Sequence, residues 1–176
     1  MIQIVDDFLE KNTFLKIKNF SKTVPYTPQH FVKSHKEKEA KEFNHTDTYG
    51  LRYVLGNENE LLEIYSNKIK ETFKLKSLKI SPDSGMDKRK LDIFKPHKDE
   101  GFKINLLHMI EGPTANTNGT VFYSKTEKDN YDLDIHVGFK ENRAVLFPSL
   151  HMHSPAVSKD SIWRTTLTIF IEDYER

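Results

Sequence analysis

The chain has no cysteine among its 176 residues. That absence excludes disulfides, cysteine-ligated zinc and thiol nucleophiles together. Arginine is scarce, five against 22 lysines, so an arginine inside an apolar run, Arg164, stands out. No stretch approaches the roughly 20 apolar residues of a membrane-spanning helix. The acidic start Met1-Ile-Gln-Ile-Val-Asp-Asp7 lacks the basic-then-apolar pattern of a secretory signal. A formal net charge of +1, with 30% charged residues, offers no global field for nucleic acid. The reading is a soluble cytoplasmic protein with no membrane partner, folded as a single domain over 1–176 with a sizeable core.

What is present changes character near Lys76. Ile2 to Val5 reads as a first strand. Phe8, Leu9, Leu15 and Ile17 mark an amphipathic helix of imperfect period. Residues 21–47 are polar, rich in Lys and His, and carry two prolines, which suits a loop or mobile cover. Asn57 with Glu60 three residues on makes a helix start. Leu61, Leu62, Ile64, Tyr65, Ile69 and Phe73 then share a helical face that reads as core. After Lys76, short apolar or alternating runs at 75–80, 90–95, 102–110, 120–124, 133–139, 143–147 and 162–171 predict strands. Turn signals at Pro82-Asp83-Ser84-Gly85, Asn116-Thr117-Asn118-Gly119 and Lys140-Glu141-Asn142 separate them. Short strands without intervening helices indicate an antiparallel sandwich or barrel. The fold class is mainly β with N-terminal helices (α+β): a support region over 1–74 packed against a β core over 75–176.

Three segments carry chemistry. In Leu91-Asp-Ile-Phe-Lys-Pro-His-Lys-Asp99, a strand runs into Pro96, which keeps Lys95 extended. His97 and Asp99, two apart on extended backbone, project to one side and can converge on one ion. The same His-x-Asp pattern recurs at His45-Thr46-Asp47, so the triplet alone does not locate a site. In Asn142-Arg-Ala-Val-Leu-Phe-Pro-Ser-Leu-His-Met-His153, an apolar strand breaks at Pro148 and delivers His151 and His153. Both face the same side of an extended chain, and strand geometry does not choose between them. In Ile162-Trp-Arg-Thr-Thr-Leu-Thr-Ile-Phe-Ile171, Arg164, Thr166 and Thr168 share one face. If that face looks into the sandwich, Arg164 is a buried cation that requires an anion. Two imidazoles and a carboxylate can hold a ferrous ion and leave positions open for a co-substrate and O2. An arginine beside them can grip a dicarboxylate through a two-pronged bond.

These residues resemble the iron(II)- and 2-oxoglutarate-dependent dioxygenases, most closely the small prolyl-hydroxylase-like members of bacteria and phages. The resemblance rests on a His-x-Asp, a long gap, a second His, and a basic residue about ten positions on: His97, Asp99, His153 and Arg164. The contexts Phe94-Lys-Pro-His-Lys-Asp99, Gly119-Thr-Val-Phe122, Asn142-Arg-Ala-Val-Leu-Phe-Pro-Ser149 and Arg164-Thr165-Thr166 look like the family's strands in the same order. In related sequences the ligand follows Phe-Pro-Ser after three residues, which selects His153 over His151. The likeness covers about residues 75–172. Upstream, Asp47-Thr-Tyr-Gly-Leu-Arg52 looks like a Pro-Gly-x-Arg segment without the proline. His108 stands where many relatives carry the Tyr of a Tyr-Leu-Asn motif, so it either donates to 2-oxoglutarate or is a core histidine.

The resemblance implies a double-stranded β-helix (jelly-roll, cupin-like) core. It implies Fe(II) on His97, Asp99 and His153, 2-oxoglutarate anchored by Arg164 with Thr166, and O2 as second co-substrate. Hydroxylation of a peptidyl or small-molecule substrate is the implied outcome. Lys22, His30, Lys33, His35, Lys36 and Lys38, interleaved with Tyr26 and Phe31, suit a solvated loop, a lid or a nucleic-acid contact. Two rivals differ in ligands. A cupin-like isomerase or binding protein would take metal without 2-oxoglutarate, and a degenerate domain would take neither.

Overall fold

The computed structural model describes residues 1–29, 50–56, 58–89, 96–126, 131–156 and 163–176. Its strands are β1 (Gln3–Val5), β2 (Thr27–Gln29), β3 (Gly50–Val54), β4 (Ser77–Ile80), β5 (Gly85–Arg89), β6 (Ile104–Glu111), β7 (Ala115–Lys125), β8 (Tyr131–Phe139), β9 (Ala144–Pro148), β10 (His153–Pro155) and β11 (Arg164–Glu175). The helices are α1 (Lys11–Thr23) and α2 (Asn59–Phe73). Eight strands make a large sheet in the order β1-β9-β6-β11-β5-β3-β2, with β4 also paired to β11. Three make a small sheet, β10-β7-β8. Every pairing between these strands is antiparallel. The expected jelly roll is the fold observed.

The large sheet is covered on both faces, which is why β6 and β9 read as nearly continuous apolar runs. Leu106, Ile110, Ala144, Leu146, Leu167, Ile169 and Ile171 join Phe8, Phe14, Ile17, Leu61, Tyr65 and Ile69 in a core between sheet and helices. The alternate residues Met109, Val145 and Phe147 meet Phe122, Val137 and Phe139 of the small sheet, with Leu107 packed against them. Truncating one of the fully buried leucines or isoleucines to Ala costs about 2–5 kcal/mol.

Several boundaries differ from the sequence expectation. The stripe of α1 is Phe14, Ile17 and Ser21, and Leu15 lies on its exposed side. Phe8 and Leu9 precede the helix and reach the core from the turn after Asp7, whose φ is 50°. Asn57 lies outside the described residues; Glu58 occupies the cap position of α2 and makes no side-chain cap bond. β2 falls within the stretch expected to be a loop. It is a three-residue strand at the end of the sheet with Pro28 at its centre, and such a strand leaves no alternation to read. β5, Gly-Met-Asp-Lys-Arg, begins at the Gly85 of an expected turn, and its charges hide it from an apolar template. The expected strand 90–95, most of 21–47 with Phe31 and its His and Lys residues beyond Lys22, and His45-Thr46-Asp47 lie outside the described residues.

Candidate metal and oxoacid site

His97, Asp99 and His153 come together where the His97 segment meets β10. His97 and His153 form an antiparallel bridge, each backbone N–H donating to the other's carbonyl at 2.9 and 3.0 Å. The Asp99 N–H donates to Ser149 O at 2.9 Å, and the Ser149 hydroxyl donates to Phe102 O. The Pro148-Ser149 turn therefore does two things: it ends β9 and holds the segment that carries His97 and Asp99.

One donor atom from each residue lies within 4.8 Å of the others. Asp99 Oδ2 is 3.3 Å from His153 Nε2, and Asp99 Oδ1 is 3.9 Å from His97 Nε2. His153 Nδ1 lies 2.9 Å from the His151 carbonyl. A carbonyl only accepts, so Nδ1 carries a proton and Nε2 is the ring nitrogen turned toward the cluster. Burial pushes the Asp99 carboxyl up. The hydrogen bond and charge of His153, the charge of His97 and the Asn105 amide more than offset it, leaving Asp99 below its ordinary value. Two imidazole nitrogens and a carboxylate oxygen, converging in a half-buried recess, fit a divalent transition metal.

The same recess is lined by Arg164, Thr166 and Thr168 of β11, with Leu107, Phe147 and Phe170 as apolar wall. Arg164 is buried, and its Nη1 donates to Asn118 Oδ1 at 2.6 Å and Gly119 O at 2.8 Å. Gly119 sits at φ 146°, and a Cβ there would lie 2.0 Å from Val137 O. Only glycine allows the close β7–β8 approach that leaves the Gly119 carbonyl aimed at Arg164. The structure thus gathers His97, Asp99, His153, Arg164 and Thr166 around one recess.

It does not bring His108 there. β6 alternates, with Asn105, Leu107 and Met109 on the inter-sheet side and His108 on the helix side between Leu106 and Ile110. His108 is fully buried against Phe8, Phe14 and Tyr65. Its Nδ1 is 2.5 Å from Tyr65 Oη and its Nε2 is 3.1 Å from Asn142 Oδ1. Of its two open roles, the satisfied core histidine matches this geometry. His151 packs edge-on against Phe122, and it is outside the metal-ligating group found among the described residues.

Sequence reading missed part of the recess. Asn105 Nδ2 donates to Asp99 Oδ2 at 2.6 Å. On β5, Asp87 and Arg89 face the recess, and Arg52 Nη1 donates to both Asp87 oxygens at 2.9 and 2.8 Å. Arg89 is the cross-strand partner of Arg164. The available signals were an Asn inside the apolar β6 run and two charges at period two on β5.

The α-ketoglutarate-dependent non-haem epimerase SnoN from nogalamycin biosynthesis matches with a TM-score of 0.67 at 8% identity, over 99% of this chain and 80% of its own. A 2OG-Fe(II) oxygenase family oxidoreductase from Burkholderia pseudomallei matches at 0.63 and 10% identity, over 99% of this chain and 86% of its own. The chain has the fold of 2OG-Fe(II) oxygenases. A prolyl hydroxylase from Trichoplax adhaerens, solved with a hypoxia-inducible-factor peptide, matches at 0.57 and 14% identity, over 99% of this chain and 83% of its own. No family model matches the sequence, and no curated protein matches it.

Proposed function

We propose that this chain is a non-haem Fe(II)- and 2-oxoglutarate-dependent oxygenase. One observation carries the reading: a two-histidine, one-carboxylate cluster shares a single recess with a buried arginine. His97, Asp99 and His153 hold the iron, which when bound supplies O2 activation. Arg164 binds the distal carboxylate of 2-oxoglutarate, and the Thr166 hydroxyl assists. A guanidinium whose Nη1 is already held by Asn118 and Gly119 loses little further freedom on gripping that carboxylate. Leu107, Phe147 and Phe170 exclude water and strengthen the ionic contact.

The reaction on the primary substrate is a separate matter. Hydroxylation of a small molecule or peptidyl group is our reading, supported by the motif likeness to prolyl-hydroxylase-like enzymes. SnoN, on the same fold, is an epimerase. No helix among the described residues is long and apolar enough to cross a membrane, which is compatible with a cytoplasmic enzyme.

The test is anaerobic visible absorption as Fe(II) and then 2-oxoglutarate are added. A weak charge-transfer band that needs both, and is lost in Arg164→Ala and His153→Ala, is the expected result. Metal binding with no response to 2-oxoglutarate would replace this reading with the cupin-like one.

A further inference from the structure

We propose that Asn105 is a positioning residue that holds Asp99 to single-oxygen metal coordination and so keeps a coordination position open for the co-substrate. The inference rests on the metal-site reading above. Asn105 is fully buried on β6, and its cross-strand neighbours are Phe147 of β9 and Phe170 of β11. Its Nδ2 donates to Asp99 Oδ2 at 2.6 Å. Its Oδ1 is buried and has no hydrogen-bond partner among the described residues.

That combination is unfavourable for packing alone. A buried acceptor without a donor costs about 1–3 kcal/mol, whereas an apolar side chain of the same shape costs nothing of the kind. Leucine has nearly the shape of asparagine and would suit two phenylalanine neighbours. What leucine cannot do is donate to Asp99. Rotation of a carboxylate about its last torsion is broad and nearly two-fold, and a free carboxylate binds metals through one oxygen or both. The Ser149 carbonyl fixes the backbone of Asp99, and the Asn105 amide fixes the rotation of its carboxylate. The amide occupies one lone pair of Oδ2 and fixes the direction of the other, which disfavours symmetric two-oxygen binding. Single-oxygen coordination fills three sites with protein ligands rather than four, and a two-pronged oxoacid then has adjacent positions to occupy.

The probe is Co(II), whose visible spectrum reports coordination number, titrated into the full chain and into Asn105→Leu. The variant is expected to bind Co(II) with altered bands and roughly tenfold to a hundredfold more weakly, the scale for removing a bond to a metal ligand, and to bind 2-oxoglutarate more weakly than the unaltered chain. Wild-type bands and wild-type 2-oxoglutarate affinity in Asn105→Leu would make the residue a packing element and overturn the proposal. Asn105→Ala, which leaves space rather than a clash, is the second variant, and a thermal melt checks both for folding. X-ray absorption on the wild-type Co(II) protein needs no variant, and a two-oxygen carboxylate signature there overturns the proposal outright. If 2-oxoglutarate leaves the wild-type Co(II) spectrum unchanged, the oxygenase reading falls, while altered bands in Asn105→Leu still support the role of Asn105. Failure of the wild type to bind Co(II) sinks both.

Discussion

The two faces of β6 hold buried polar groups of opposite kinds. On the helix side, His108 has a partner on each ring nitrogen, and Asn142 continues the network by donating to Leu9 O at 2.8 Å and accepting from Leu9 N–H at 3.0 Å. On the inter-sheet side, Asn105 reaches Asp99, and the donor atoms of Asp99, His97 and His153 converge on one point. The first network is closed by the fold itself. It ties the segment before α1, helix α2 and the β8–β9 turn to the sheet. The second brings two imidazoles, a carboxylate and a guanidinium to one recess, the arrangement on which the proposed oxygenase function rests. A self-contained hydrogen-bond network and a convergence of metal-ligand atoms thus lie on opposite faces of one strand.

This contrast can be broken most sharply at the ligands. Asp99→Ala is expected to abolish iron-dependent consumption of 2-oxoglutarate while the metal-free protein melts close to the unaltered chain. Retained turnover would remove Asp99 from the metal site. His108→Leu is expected to do the reverse, losing about 2–4 kcal/mol of stability because the buried Tyr65 hydroxyl loses its acceptor and Asn142 loses one of its bonds. Its Co(II) and 2-oxoglutarate titrations should stay at wild type in denaturant-free buffer, and a lost titration in folded protein would move His108 into the site.

Arg164→Ala comes next. It should raise the 2-oxoglutarate requirement by the equivalent of roughly 2–5 kcal/mol, the scale for truncating one side of a buried charge pair, with Co(II) affinity nearly unchanged. An unchanged requirement would pass the anchoring role to another cation of the recess.

The pH dependence sharpens the helix-side half of the comparison. Burial, only partly countered by the Asn142 bond, lowers His108 from 6.5 to about 4. Between those values the unfolded chain takes up the proton and the folded one does not. Stability is therefore full above 6.5 and declines as pH falls toward 4, by about 3 kcal/mol at most. Denaturant melts of the metal-free protein across that window should show the slope, and His108→Leu should flatten it. The smallest effect belongs to the surface. Breaking the Lys18–Glu141 pair at 2.7 Å with Lys18→Met should change stability by less than about 1 kcal/mol.

Much of this was legible along the chain. The alternation in 162–171 put Arg164, Thr166 and Thr168 on one face, and β11 shows that parity, with Leu167, Ile169 and Ile171 in the helix-side core. Pro148 marked where β9 ends before the turn that leads to His153. The apolar stripe of α2 was readable because 3.6-residue periodicity is local. Leu15 was misplaced because a helix of imperfect period has no unique face until something packs on it. β2 and β5 were missed because a short end strand and a charged strand carry no apolar alternation.

The sequence by itself determined residue chemistry and local period. It fixed no thiol, scarce arginine, paired His and Asp on extended backbone, and a polar face on the last strand. Tertiary structure alone decided which face of β6 turns toward the helices, and therefore that His108 joins Phe8 and Phe14 in the core while Asn105 meets Asp99. It also decided that Arg52, Asp87 and Arg89 line the wall with Arg164. The physical reason is register. Side chains alternate with a period of two, so a shift of one residue exchanges core for site, and strand partners far apart in sequence set that register.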